Sequence, residues 1–230
     1  MSARKRFWSL VSVKQDEAGF TPQLDGRPIR LPQGHVLSVQ SHALADAIAD
    51  EWKSIAEGAA FTPEDLPLTR MAGTMIERVR PDLMAAREAL FRFAVDDGLC
   101  YRAYGRDLEA HEHVFSWLNH HAVHPSVTDG LMPVEQSDAY YAAVRHLLAE
   151  QDEASLTVLG VLTQALGSLL LSLAVVSDGI NEGQARSVAC ADEEHQLSVW
   201  GVDAELQQAI DRRAEDLRTA MNYLRLYRHV

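Results

Sequence analysis

Residues Leu156 to Val176 read LTVLGVLTQALGSLLLSLAVV, twenty-one positions without a charge in a chain whose formal net charge is -12. The length matches a bilayer-spanning helix, which needs roughly 20 apolar residues. Thr157, Thr163, Gln164, Ser168 and Ser172 interrupt the run, and its flanks decide against a membrane. Glu150, Asp152 and Glu153 precede it and Asp178 and Glu182 follow, where a spanning helix would carry Lys/Arg clusters or an aromatic belt. The stretch therefore reads as a central helix of a soluble bundle. A helix that is apolar all round must be surrounded by others, so the rest of the chain has to supply them.

The composition permits this. The chain has 230 residues, 47% of them hydrophobic, which suits a packed core rather than disorder. Its only cysteines, Cys100 and Cys190, form no CxxC pair, so they read as reduced thiols rather than a disulfide frame or zinc site. Arg4-Lys5-Arg6 runs straight into Phe7-Trp8 with no apolar signal core or Arg/Ser-rich transit segment, and a cytoplasmic compartment is expected. Charge is uneven. Residues 1–40 hold six Lys/Arg against three Asp/Glu, a net of +3, whereas the remaining 190 hold fifteen against thirty, a net of -15. A phosphate backbone needs basic surface, so the larger part excludes nucleic acid. It suits a cationic protein partner, and it equally serves solubility.

Taken in order, the chain opens with β signals over residues 1–40. Phe7–Val13 is rich in strand formers, Gly19–Leu24 is a second strand, and Asp25-Gly26 supplies the positive φ angles of a two-residue hairpin. Arg27–Leu31 returns, and Val36–Val39 adds a short strand. Pro22, Pro28 and Pro32 lack an N–H for a ladder and are expected at strand ends or edges. Ser41 then caps a helix over 41–58 that presents Leu44, Ile48, Trp52 and Ile55 along one face and closes on the β-unit, with Gly58 at its C-terminal cap. Residues 59–230 read as an α-helical domain, giving an α+β fold in two parts.

Within it, Leu68, Met71, Met75 and Val79 share a helix face up to Pro81, and Met84, Arg87, Phe91 and Ala94 share the next. A helix from Asp107 to Ala122 turns Leu108, Phe115 and Leu118 inward. Another starts at Ser137 with Tyr140, Tyr141, Val144, Leu147 and Leu148. After the central helix, Asn181 with Gln184 makes a capping box for a helix through Val199, and Asp203 caps a last helix with Leu206, Ile210, Leu217, Met221 and Leu224 inward.

Few residues invite chemistry. His111, His113, His120, His121 and His124 crowd fourteen positions, and His113 and His121 share a helix side, so a metal-dependent hydrolase built on His111, His113 and His121 is the enzymatic alternative. No HExxH, GxSxG, GxGxxG or GxxxxGK is present. The exception to a bland surface is Asp192-Glu193-Glu194. The apolar face Ala185, Val188, Ala189, continued through Gln196 and Val199, brings Asp192 to a helix seam with Glu193 beside it. A carboxylate there needs a partner. It is either an internal ion pair or solvated turn, or a docking site for a cationic group.

These pieces, with their order and spacing, resemble a family: the chaperones that hold the α subunit of the ATP synthase F(1) sector before assembly. The resemblance runs nearly end to end. It rests on Lys5-Arg6-Phe7-Trp8, Leu24-Asp25-Gly26-Arg27-Pro28, Glu51-Trp52, Pro67-Leu68-Thr69-Arg70, Leu99-Cys100-Tyr101-Arg102, Met132-Pro133, and Asp192-Glu193-Glu194 with Gln196 and Trp200-Gly201. It implies a small β-domain joined to a helical domain, no catalysis, no cofactor, and an unassembled α subunit shielded until the β subunit replaces the chaperone. The family's functional acidic position before Trp-Gly falls on Glu193 first and Glu194 second, with Asp192, Gln196 and Trp200 as further partner contacts. Phe7, Trp8, Asp25, Gly26, Arg27, Trp52, Tyr101, Arg102 and Gly201 are structural motif positions. The chain departs from the pattern at His111-Glu112-His113, where relatives often carry Trp-Asp-Pro, and at Ala191 and His195. The implied compartment is bacterial cytoplasm, or the mitochondrial matrix after removal of a presequence.

Overall fold

The computed structural model describes residues 4–101 and 108–229. Arg102 and the Asp107 helix start fall outside them, as does the Leu108 side chain. The fold is α+β, divided into a unit of Met1–Leu83 with Met221–Val230 and a unit of Met84–Ala220.

In the first unit, β2 (Val11–Asp16), β3 (Gly19–Leu24) and β4 (Arg27–Pro28) form an antiparallel sheet in that order. Asp25 (φ 48°) and Gly26 (φ 75°) make the β3–β4 turn as expected. The first strand is displaced from Phe7–Val13, because the Asp25 carboxylate takes the amides of Ser9 and Leu10 at 3.0 and 2.8 Å and holds them off the ladder. Pro22 lies inside the middle strand rather than at an edge. Its carbonyl accepts from Ile29 N, so its missing N–H faces the β4 side, beyond the point where the β4 ladder ends at Gln23. Of the expected return Arg27–Leu31 only Arg27–Pro28 is a strand; Arg30 makes an isolated bridge with Val36, and Val39 one with Phe20, in place of the short strand expected at Val36–Val39.

A second, two-stranded sheet pairs β1 (Arg4–Lys5) with β5 (Ala60–Phe61). It delivers Trp8 into the core, where its ring meets Trp52 at 5.0 Å and Phe61 at 5.4 Å, edge to face. Helix α1 (His42–Ser54) buries Leu44, Ile48 and Trp52. It ends at Ser54, short of Gly58, and runs extended at Ile55. Its last turn explains two sequence motifs at once. The Glu51 carboxylate accepts from Leu68 N, Thr69 N and Thr69 Oγ1 at 2.6 to 2.9 Å, while Trp52 Nε1 donates to Thr69 Oγ1 at 3.0 Å. Glu51 thereby satisfies the free amides of α2 (Pro67–Thr74), whose first residue, proline, has none to offer. Helix α2 continues as a π-turn over Met75–Val79, with Met71, Met75 and Val79 buried. The end of the chain returns here: Ser41 Oγ reaches Leu226 O and His229 O at 2.6 and 2.7 Å, and Tyr223 Oη meets Met75 Sδ at 3.3 Å.

The second unit contains α3 (Leu83–Phe91) from its second residue, α4 (Leu108–His120), α5 (Asp138–Ala149), α6 (Glu153–Leu166), α7 (Leu169–Val176), α8 (Glu182–Ala189), α9 (Ala191–Trp200) and α10 (Ala204–Arg228) to Ala220. The expected central helix is buried, and it is two helices. Gly167 is left-handed (φ 68°) and Ser168 caps α7, its Oγ accepting from Leu171 N at 3.0 Å. All eight residues of α7 are buried. Within the two helices Ser172 Oγ donates to Ser168 O and Thr157 Oγ1 to Glu153 O, whereas the buried Thr163 Oγ1 has no hydrogen-bond partner. Among the described residues no helix is long and apolar enough to cross a membrane.

The break is stitched by a buried acid. Asp97 Oδ1 accepts from Ser168 Oγ at 2.5 Å and Leu99 N at 2.9 Å, and Oδ2 from Leu170 N at 3.0 Å. Burial raises its carboxyl above the ordinary carboxylate range, and these donors pull it back only in part. Gly98 N donates to Gly167 O, an approach so close that a Cβ on Gly98 would lie 2.5 Å from that oxygen.

Other helix faces differ in detail from the expectation. Of the expected face Met84, Arg87, Phe91 and Ala94, Phe91 and Ala94 are buried, Arg87 is half-buried and Met84 is exposed, while Leu90 is also buried. In α4 the buried face is Ala110, Val114 and Leu118, with Phe115 half-buried. In α5 Tyr140, Val144, Leu147 and Leu148 are buried and Tyr141 half-buried; in α10 Ile210, Leu217, Met221 and Leu224 are buried and Leu206 half-buried.

Candidate functional site

The acidic triplet sits on α9, and α9 exists because the helix expected to run through Val199 stops. Helix α8 begins with the expected capping box, Asn181 and Gln184 exchanging side-chain and backbone hydrogen bonds at 2.9 Å. It ends at Cys190, whose backbone (φ -109°, ψ 9°) leaves the helical range. That break resets the helical phase. Asp192, Gln196 and Val199, expected at a continued apolar seam, are all exposed, and Ala191 is the only residue of α9 that is buried.

With so little apolar anchorage, two ion pairs hold α9. Arg213, on α10, bridges Glu193 Oε1 at 2.8 Å and also donates to Ala189 O at 2.9 Å. Both side chains are about three-quarters buried, at 25% and 23% exposure. Arg186, on α8, bridges Glu194 Oε1 at 2.7 Å, nearer the solvent. The Arg213 guanidinium also lies 3.7 Å from the Cys190 sulfur, whose thiol burial pushes up. Thus Glu193 and Glu194 each have a cation from their own chain. Neither Arg186 nor Arg213 was legible as a partner, since Arg213 is 20 positions from Glu193 and meets it only through the tertiary fold.

Beyond the pairs, α9 ends in open apolar surface. Val199, Trp200 and Val202 are 57%, 79% and 97% exposed. Gly201 between them has φ 90° and ψ -170°, a backbone state essentially confined to glycine. No atom lies within 4 Å of where its Cβ would stand, so the glycine is needed for conformation and not for space. Asp203 then caps α10, accepting from Glu205 N and Leu206 N at 2.9 and 3.0 Å.

The histidines do not converge. His113 Nδ1 accepts from Gln184 Nε2 at 2.6 Å, His121 Nδ1 donates to Trp117 O at 2.8 Å, and His124 Nδ1 donates to Asn119 Oδ1 at 2.9 Å. Among the described residues no three His, Cys, Asp or Glu side chains are grouped to hold a metal. The motif residues of the first unit serve the fold described above: Trp8, Asp25, Gly26 and Trp52 build its core and turn, while Phe7 and Arg27 are exposed. In the second unit Tyr101 Oη donates to Asp96 Oδ1 at 2.6 Å, which pushes its phenol up to about 12.

Comparison with known proteins agrees with this architecture. A family model described as ATP12 chaperone protein matches residues 5–128, over half of the chain. Crystal structures of Paracoccus denitrificans Atp12, unmutated and as a point mutant, superpose with a TM-score of 0.83 at 32% identity, covering 97% of this chain and 98% of theirs. A protein of Agrobacterium tumefaciens superposes with a TM-score of 0.83 at 31% identity, over 97% of this chain and 86% of its own. The mitochondrial atp12 protein of Schizosaccharomyces pombe is 22% identical over 94% of this chain and 79% of its length. The chain belongs to the ATP12 chaperone family.

Proposed function

We propose that this member of a family of F(1)-ATPase assembly chaperones binds the unassembled α subunit, prevents its aggregation, and yields it when the β subunit takes its place. The observation that carries the reading is the superposition along 97% of the chain on Paracoccus denitrificans Atp12. The partner-facing element in this reading is α9, with Glu193, Glu194, Asp192, Gln196 and Trp200 as its contact candidates. An exposed apolar end bordered by acidic groups is the surface expected of a protein that binds a protein. We assign no catalytic step and no cofactor, and place the protein in bacterial cytoplasm or, by its kinship with the yeast protein, in a mitochondrial matrix.

The test mixes the purified protein with isolated α subunit, without nucleotide. A soluble complex, suppression of light scattering as the α subunit is warmed, and release on adding β subunit are expected. Failure to form a complex with the α subunit, while another F(1) subunit is retained, overturns the assignment.

A further inference from the structure

Between Ala191 and Asp211 the sequence has six carboxylates, at 192, 193, 194, 203, 205 and 211, and no Lys or Arg. Inside that stretch lies the exposed tip Val199, Trp200 and Val202, at 57%, 79% and 97% exposure. The backbone closes locally at the tip. Gly201 N donates to Leu197 O at 3.0 Å, closing α9, and the glycine-only backbone at Gly201 turns the chain between Trp200 and Val202. Meanwhile the carboxylates of Glu193 and Glu194 are engaged toward α10 and α8, by Arg213 at 2.8 Å and Arg186 at 2.7 Å.

Resting on the chaperone reading above, we propose that the docking surface is this tip, and that the partner offers it an apolar segment flanked by Lys or Arg. Glu193 and Glu194 are positioning residues: they hold α9 through Arg213 and Arg186, and the tip makes the contact. Charge decides the occupant. A second copy would bring the same carboxylates to the contact in a chain of net charge -12, and like charges across an interface oppose association. A Lys- or Arg-flanked apolar segment meets complementary potential and buries the indole, the side chain most enriched among interface hot spots.

Binding to isolated α subunit is measured for the parent, Trp200→Ser/Val202→Ser, Glu193→Arg, and the exchanged pair Glu193→Arg/Arg213→Glu. Melting temperatures are recorded for all four. The tip variant is expected to melt with the parent and lose at least about tenfold in affinity. Glu193→Arg is expected to weaken binding, and the exchanged pair to regain most of it, because the pair is rebuilt with its polarity reversed. An exchanged pair that folds like the parent yet binds as poorly as Glu193→Arg would mean that Glu193 itself touches the partner, and the inference fails. A tip variant that binds like the parent also overturns it.

A labelled peptide carrying Leu and Phe between lysines, and its twin with glutamates, separate this inference from the choice of subunit. The lysine peptide should bind the parent, weaken with salt and lose affinity in the tip variant, even if no complex with the α subunit forms. Binding of neither peptide, preference for the glutamate peptide, or self-association of the parent that the tip variant abolishes would each overturn it.

Discussion

Asp97 is the side chain on which the core of the second unit turns, and its removal has a calculable cost. Asp97→Ala strips the acceptor from Leu99 N at 2.9 Å, Leu170 N at 3.0 Å and Ser168 Oγ at 2.5 Å, all buried. The Ser168 hydroxyl can turn to another acceptor, but the two amides are fixed by the backbone. A buried polar group left without a partner costs about 1–3 kcal/mol, so two of them cost about 2–6 kcal/mol. Relief of the desolvation that raises the Asp97 carboxyl offsets part of this. The net expected loss is about 2–4 kcal/mol, a large share of the roughly 5–15 kcal/mol that stabilises a typical domain. Urea unfolding followed by far-ultraviolet circular dichroism reads it directly. Ser168→Ala, which removes both a donor to Asp97 and the cap of α7, should cost about 1–2 kcal/mol, and the double variant should show coupling of at least about 0.5 kcal/mol. Asp97→Ala within about 0.5 kcal/mol of the parent would refute the argument. The pH dependence has a definite sign. A carboxyl raised in the folded state stabilises fully below its unfolded pKa and loses that contribution as pH rises through the folded value. The stability gap between parent and Asp97→Asn should therefore narrow from acid toward neutral pH.

Glu51→Ala frees two amides of α2 and the Thr69 hydroxyl, and should lower stability by about 2–3 kcal/mol in the same unfolding assay. Gly179→Ala places a Cβ 2.1 Å from Trp117 Cδ1, so Trp117 must shift; a loss of about 1–3 kcal/mol and a changed near-ultraviolet indole signal are expected. Overnight dialysis against zinc and then buffer should leave well under one equivalent bound, with an unchanged melting temperature, because among the described residues no three His, Cys, Asp or Glu side chains are grouped to hold a metal. One tightly held equivalent would revive the hydrolase alternative.

What the sequence disclosed and what it hid divide along physical lines. Local signals were legible: Asp25-Gly26 makes its turn, Ser41 caps its helix, a helix begins at Ser137, and Asn181 with Gln184 forms its box. The burial of Leu156–Val176 was legible from hydropathy, yet the break inside it was not. An apolar run looks the same to a helix of twenty-one residues and to two helices, and Gly167 followed by Ser168, which makes the break, does not interrupt its hydropathy. The break at Cys190 has no breaker residue to announce it, so a period carried across it points Asp192 to the seam although its side chain is exposed. Pairings set only by the tertiary fold were hidden in principle: Ala60–Phe61 is too short for a strand pattern and finds Arg4–Lys5, and the Arg213 partner of Glu193 lies on another helix.

The division of the chain has a consequence for its synthesis. The unit of residues 84–220 is continuous, whereas the other needs both its early residues and those from Met221 onward. Translation at about 5–20 residues per second delivers the N-terminus first, so the strands and α1 wait for more than a hundred residues before Tyr223 reaches Met75 and Ser41 finds the carbonyls of Leu226 and His229. During that wait the hydroxyl that caps α1 has no C-terminal carbonyl to accept its hydrogen bond. Order of emergence and order of completion are thus reversed: the unit whose residues emerge first is the one that needs the last residues to be complete.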